Sequence, residues 1–457
     1  MSAPLGPGPR RRNVTIPRRA CIALARLGVG LLLITTSRTA RAQASPDSSS
    51  RIVLVGVTVF DGTGHQARPN QSVLIQGERI AAIFPAGSRP LPAGARIYNL
   101  TGRFLIPGLI DTHVHVATDP SGEDSRVRTE RRLRMALLGG VTAVRDMAGD
   151  VRALASLQRD ALLGEIASPD IYYAALFAGP SFFADPRTQD ASRGLIPGQV
   201  PWMRAITDTT DIHQAVAEAR GSGAAAIKLY AALSGELARR ITSEAHAQGL
   251  MVWAHAALRP ARPIEVVEAG VDAISHANLV ALAMDSARRA TALHAPANEP
   301  LDLEDAGLDT LFSTMARRHT IFEPTLLVFA DRPPVLRLAG AIARQAHRRG
   351  VTIIAGTDTL GAAGSGTLTL PNLHEELELL VTLAGLSPTE ALQSATKDAA
   401  VVLGAQSVRG TIKVGKLADV VVLRSDPLVD IRNTRSIQLV MKRGRVYRKK
   451  RRFRRRG

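Results

Sequence analysis

Six side chains in this 457-residue chain could do chemistry together: four histidines, a lysine and an aspartate. The densest signal is Pro107-Gly108-Leu109-Ile110-Asp111-Thr112-His113-Val114-His115. Residues i and i+2 of an extended segment share a face, so His113 and His115 aim at one point. Neutral imidazoles suit zinc- and iron-class ions, and this pair would supply half of a metal site. Alone the pattern is weak, since two unrelated surface histidines satisfy it equally well.

Further candidates lie downstream, each at the end of an apolar run. Ala226-Ile227-Lys228-Leu229-Tyr230 places Lys228 where a charge is costly unless paired or neutralised. As an ammonium it has only donors and cannot hold a cation. As a carbamate formed with carbon dioxide it would have two anionic oxygens, able to bridge two metals. A carboxylate partner for Lys228 is the alternative. Met251-Val252-Trp253-Ala254-His255 and Ala273-Ile274-Ser275-His276 each end in histidine, one repeat apart. Val351-Thr352-Ile353-Ile354-Ala355-Gly356-Thr357-Asp358 ends in a carboxylate. Asp358 could bind metal and take a proton from metal-activated water, or simply cap a helix.

Tyr230 shares the face of Lys228 and could donate to a tetrahedral intermediate, or pack under a loop. Arg145, Arg259 and Arg262 are candidate clamps for a substrate carboxylate, with Arg145 preferred. The glycine-rich stretch Gly361–Gly366 could act as a lid. It lacks the Gly-Lys-Ser/Thr of a phosphate loop. His65, His213, His246, His294, His319, His347 and His374 are assigned structural or surface places.

The elements that must position these groups follow from texture. From about Phe104, apolar β-branched runs alternate with helical stretches, the pattern of repeated βα units. Strands are predicted to end near Leu109, Val144, Tyr173, Leu229, Ala254, Ile274, Phe322 and Ile354. One helix is predicted over Ser234–Gln248, with Gly249 after it. Eight such strands make an α/β fold of the (β/α)8 TIM barrel type, whose active sites lie at the strands' C-terminal ends. Short strands at Ile52–Val55, Val57–Phe60, Ser72–Ile75, Arg79–Ile83 and Arg96–Tyr98 precede it. Thr411–Gly415, Asp419–Leu423 and a hairpin around Gly444 follow it. The two β segments, 51–103 and 405–447, are expected to join as a small composite β-sandwich domain beside a barrel over 104–404.

The formal charge of +18 would suggest nucleic acid if it were spread over the body. It is not. Residues 1–44 hold eight Arg and residues 442–457 hold eleven Lys or Arg, both without acids. Between them stand 39 basic and 40 acidic residues. Aromatic content of 4% also offers little for stacking on single strands.

The basic region before Leu27–Ile34, followed by Ala42-Gln43-Ala44, has the layout of a signal peptide over 1–44. Export to the periplasm or medium is expected, with the loss of Cys21. The Arg11-Arg12 and Arg18-Arg19 pairs leave the export route open. The apolar run is too short to span a bilayer. Residues 448–457 form a basic tail, solvated or in contact with an anionic surface. Homo-oligomerisation is left open.

With these residues in place, the sequence closely resembles the amidohydrolase superfamily, in its imidazolonepropionase-like and Xaa-Pro dipeptidase-like branch. Gly139–Asp146, Leu392–Thr396 and Gly410–Asp419 carry the resemblance alongside the six ligand positions. It implies that His113, His115 and Asp358 bind a deeper metal, and His255 and His276 a second. Lys228, as a carbamate, would bridge two divalent ions, zinc being expected. A hydroxide between the ions would attack the substrate carbonyl, and Asp358 would move its proton to the leaving nitrogen. The expected activity is cleavage of a C–N amide bond in a dipeptide or N-acyl amino acid. The alternatives are a one-metal cyclic-amide hydrolase or deaminase, and a non-catalytic surface-binding barrel.

Overall fold

The computed structural model describes residues 50–118, 125–296, 301, 303–358 and 372–448. The segment 1–44 expected to be a leader, the glycine-rich stretch and residues 449–457 of the tail lie outside them.

Parallel strands make the barrel: Leu109–Val114, Val141–Asp146, Asp170–Ala178, Ala226–Leu229, Met251–His255, Ala273–Ser275 and Ile321–Glu323, here barrel strands one to seven. Each pairs in parallel with the next. The eighth position is a single bridge, Phe322 to Ile353. It closes the ring because Thr112 N–H donates to Ala355 O at 3.1 Å, and Asp358 N–H to His113 O at 2.9 Å. Strand one runs to Val114 rather than ending near Leu109, so His113 lies within it and His115 just beyond.

The barrel interior is layered, as inward residues at period two require. Ala174, Ala226, Ala273, Ile321 and Ile354 surround the fully buried Trp253 in one layer. Two residues further along each strand stand Leu176, Lys228, His255, Ser275 and Glu323. The larger apolar core fills the space between barrel and helices. The helix over Gly235–Ala247, with Ser234 as N-cap and Gly249 at φ +78°, is as predicted.

A separate mixed sheet of eight strands joins both ends of the described chain. Its order is Arg445–Tyr447, Ile437–Lys442, Val420–Leu423, Phe104–Pro107, Arg51–Val59, Arg68–Gln76 and Arg79–Pro85. Arg96–Asn99 also pairs with Arg51–Val59. Leu54, Val73, Ile80, Leu439 and Met441 share its apolar cluster, so neither segment buries its face alone.

Three further expectations need correction. Phe104–Pro107 belongs to this sheet, not the barrel, because it pairs with Val420–Leu423 and Thr58–Val59. The two strands predicted within 52–60 are one, Arg51–Val59, irregular where Gly56 takes φ +76°. Thr411–Gly415 is a turn rather than a strand, its positive-φ glycines Gly410 and Gly415 breaking any ladder.

Gly108 separates sheet from barrel, and any Cβ there would sit within 2.8 Å of Thr142 Cβ. Asp170 at the start of strand three binds Lys442 Nζ at 2.7 Å and Arg443 Nε at 3.0 Å, tying the two parts together. Among the described residues no helix is long and apolar enough to cross a membrane.

Candidate metal centre and substrate cavity

Strand one delivers the first two imidazoles. His113 is fully buried, and His115 is partly open. Their ring centroids are 5.4 Å apart. Asp358 Oδ1 lies 3.1 Å from His115 Nε2 and 3.3 Å from His113 Nε2. These three residues could each offer one atom to a common cation, all within 4.8 Å of one another. Among the described residues His113 Nε2 is buried without a hydrogen-bond partner, and it is the atom a cation would satisfy. The donor set fits a metal.

His255 and His276 complete the cup. Their rings are 4.8 Å apart, and His276 lies 4.9 Å from His113. Burial pushes the His276 imidazole down to about 3, and His255 well below its usual range. Both are therefore neutral, the form that binds metal. Burial raises the Asp358 carboxyl, but the imidazoles of His113, His115 and His276 outweigh it and hold the group well below the usual range.

Backbone geometry places two of these groups. His276 follows the inward Ser275, so simple alternation would turn it outward. Its φ of +76° swings it into the mouth, where Nδ1 meets Thr325 Oγ1 at 2.9 Å. Asp358 has φ +56° and Thr325 +49°. Such conformations cost about 1–3 kcal/mol each for non-glycine residues and gather at functional sites.

Lys228 is fully buried beneath the histidines. Its Nζ is 3.1 Å from Ser275 Oγ, and among the described residues no carboxylate oxygen lies within ion-pair distance. Burial pushes the amine down to about 7. Among the described residues the lysine–carboxylate pair of the alternative is not formed, and the neighbour of Lys228 is the Ser275 hydroxyl.

Glu323, which sequence reasoning missed, organises the floor. It is fully buried at the end of strand seven and binds His113 Nδ1 at 2.7 Å, Arg145 Nη2 at 2.8 Å and Ser275 Oγ at 2.8 Å. Two positions after Ile321 in a barrel strand, it occupied a legible inward slot. Asp146, at the end of strand two, accepts from Val116 N–H at 2.7 Å and so steadies the segment after His115.

The expected substrate roles change. Arg145 is fully buried, stacked 4.4 Å over Trp253 and paired with Glu323, so it cannot reach a substrate. Arg259 and Arg262 are exposed, and Arg262 is bound to Glu265. Tyr230 lines the mouth, but its hydroxyl hydrogen goes to Met147 O at 3.1 Å, not to the cavity. Its ring packs 4.4 Å from His255.

Two cavities, of about 270 and 220 Å³, share His115, Arg187, Tyr230 and Asp358. Leu176, Phe182 and Met203 make the first apolar. Asn278, Phe329 and Arg332 help line the second. Arg187 and Arg332 are the cationic side chains that line these cavities. Arg187 comes from the insertion after strand three, where Asp185 grips its Nε at 3.0 Å and Nη2 at 2.6 Å.

The comparisons agree with this architecture. Ochratoxinase of Aspergillus niger is 25% identical over 434 residues, covering 85% of this chain and 84% of that protein. A solved prolidase complexed with N-methylphosphonate-L-proline superposes with TM-score 0.67 at 25% identity, covering 87% of this chain and 100% of that one. Adenine deaminase 2 of Bradyrhizobium sp. (strain ORS 278) is 32% identical over 125 residues, 26% of this chain. That match spans 19% of the deaminase, so this chain covers about a fifth of its length. The amidohydrolase family profile matches residues 104–447, and the chain belongs to the amidohydrolase family.

Proposed function

We propose that this protein is an exported, two-metal hydrolase of an amide C–N bond, acting on a dipeptide or N-acyl amino acid. The observation that carries the reading is Lys228, a fully buried lysine whose hydrogen-bond partner is the neutral Ser275 hydroxyl, under four converging histidines. A lysine so placed needs a way to become useful or neutral, and carboxylation by carbon dioxide supplies one. In this reading His113, His115 and Asp358 would hold one divalent ion and His255 and His276 a second, with carboxylated Lys228 as a further ligand. Zinc is the expected metal. When bound, such ions polarise a carbonyl and activate water at neutral pH.

The chain's own residues do the rest. Asp358 Oδ1, within reach of the mouth and flanked by two imidazoles, accepts a proton and returns it to the leaving nitrogen. Arg187 leaves its Nη1 edge for a substrate carboxylate, since Asp185 occupies the other edge. Leu176, Phe182 and Met203 take an apolar or aromatic arm and exclude water from it. Relatives of this chain include proteins named for prolidase and ochratoxinase activity, which is consistent with an amide substrate. The leader layout at 1–44 supports export.

The test is metal content of the purified protein in bicarbonate buffer, followed by turnover of a panel of dipeptides and N-acyl amino acids. Close to two metals per chain with hydrolysis of the panel is expected. One metal with ring-opening or deaminase activity would replace this reading by the one-metal alternative. A metal-free, inactive protein after zinc or manganese loading would leave a binding protein.

A further inference from the structure

The polar chain behind the histidines has a direction. Glu323 Oε1 accepts from Arg145 Nη2 at 2.8 Å and adjoins the Thr112 hydroxyl. Its Oε2 faces His113 Nδ1 at 2.7 Å and Ser275 Oγ at 2.8 Å. A carboxylate held by a guanidinium has only acceptors to offer. Both groups at Oε2 must therefore give it a hydrogen.

The consequence for His113 is one tautomer. Its proton sits on Nδ1, and Nε2 presents a lone pair toward Asp358. The consequence for Ser275 is that its single hydrogen is committed to Glu323. Toward Lys228 Nζ, 3.1 Å away, its oxygen can only accept. The lysine amine must point an N–H at Ser275, which leaves the nitrogen lone pair directed elsewhere.

We propose that Glu323 is the positioning residue for both functions, orienting His113 directly and Lys228 through Ser275. The lysine half rests on the carbamate reading given above. In that step the Nζ lone pair attacks the carbon of carbon dioxide. An N–C bond forms as one C–O π pair moves onto oxygen, and the nitrogen loses a proton to water. A serine that donated to Nζ would occupy the lone pair and block the attack. Glu323 prevents this by holding the serine hydrogen.

Ser275→Ala and Ser275→Thr separate the two arms, because both leave the Glu323–His113 contact in place. The full-length protein, reconstituted with zinc, is titrated with carbon-13-labelled bicarbonate, and the carbamate signal is followed by NMR independently of turnover. Ser275→Ala should need about tenfold more bicarbonate for half-maximal signal, the scale expected of a residue behind a metal ligand. Ser275→Thr, which keeps the hydroxyl, should restore the wild-type requirement. Glu323→Gln should weaken both the carbamate signal and zinc affinity. If that variant does not fold, the serine pair still decides the lysine arm. An unchanged bicarbonate requirement in Ser275→Ala overturns the lysine half of the proposal while leaving the carbamate reading intact, and unchanged zinc affinity in a folded Glu323→Gln overturns the His113 half. A wild-type protein with no carbamate signal overturns that reading and the lysine half with it.

Discussion

Asp111 accepts two hydrogen bonds from Thr357, one from the hydroxyl at 2.8 Å and one from the backbone N–H at 3.1 Å. Strand eight has little ladder of its own, so this contact fastens its end to strand one, immediately before Asp358. Both residues are buried. Thr357→Val removes the hydroxyl and leaves a buried carboxylate short of a donor. Denaturant unfolding should show a loss of about 1–3 kcal/mol, and kcat should fall more than KM rises. Wild-type stability and kcat would show that the pair does not set the position of Asp358.

Asp358 itself is expected to move the proton. Asp358→Asn keeps an oxygen at the site but loses the base, so turnover should drop by about 10²–10⁴-fold. Metal content, measured by elemental analysis, should stay mostly intact because His113 and His115 remain. Normal activity would refute the proton-transfer role.

Arg187 should recognise a free carboxylate. Arg187→Met keeps the aliphatic stem and removes the charge, so KM for N-acyl amino acids should rise by about tenfold or more. Substrates whose carboxylate is capped as an amide should be hydrolysed equally by both proteins. An equal loss on capped and uncapped substrates would make Arg187 a structural element of its loop.

Gly356 is required by the closeness of its neighbours rather than by its φ. A Cβ there would lie 2.8 Å from His113 Cβ and nearer still to Glu323 Oε1. Gly356→Ala should therefore displace the His113–Glu323 pair, destabilising the fold by about 1–3 kcal/mol and lowering metal affinity. Differential unfolding with and without zinc would read both effects, and neither changing would mean the floor yields easily.

Glu376 gives a pH dependence with a definite sign. It accepts the N–H groups of Leu326 at 3.0 Å and Leu327 at 2.7 Å, yet burial pushes its carboxyl up to about 8. Between its ordinary value of 4.5 and about 8, the folded state keeps a proton that the unfolded state loses. This group therefore costs the fold up to about 1.4 kcal/mol per pH unit as pH rises through that window. Glu376→Gln cannot titrate, so the variant's stability relative to wild type should improve from about pH 5 to about pH 8. A pH-independent difference would place the folded carboxyl near its ordinary value.

The sequence by itself determined the barrel, the β segments beside it, and which apolar stretches carry the six chemical residues. It did so because apolar periodicity, strand length and turn residues are local properties. The inward register of Lys228 and His255 was legible for the same reason, and Glu323 could have been read from it. The tertiary structure alone decided the rest. Alternation along strand six would turn His276 away, and only a backbone at φ +76°, backed by Thr325 from the segment after strand seven, brings it to the metal cup. Arg145 resembles a substrate clamp in sequence, but a guanidinium at that depth must pair with Glu323, 178 positions away. The cation at the mouth, Arg187, sits in an insertion whose path depends on packing against strand three. Pairings across such separations depend on which buried charges must neutralise one another, and only the closed barrel brings those charges together.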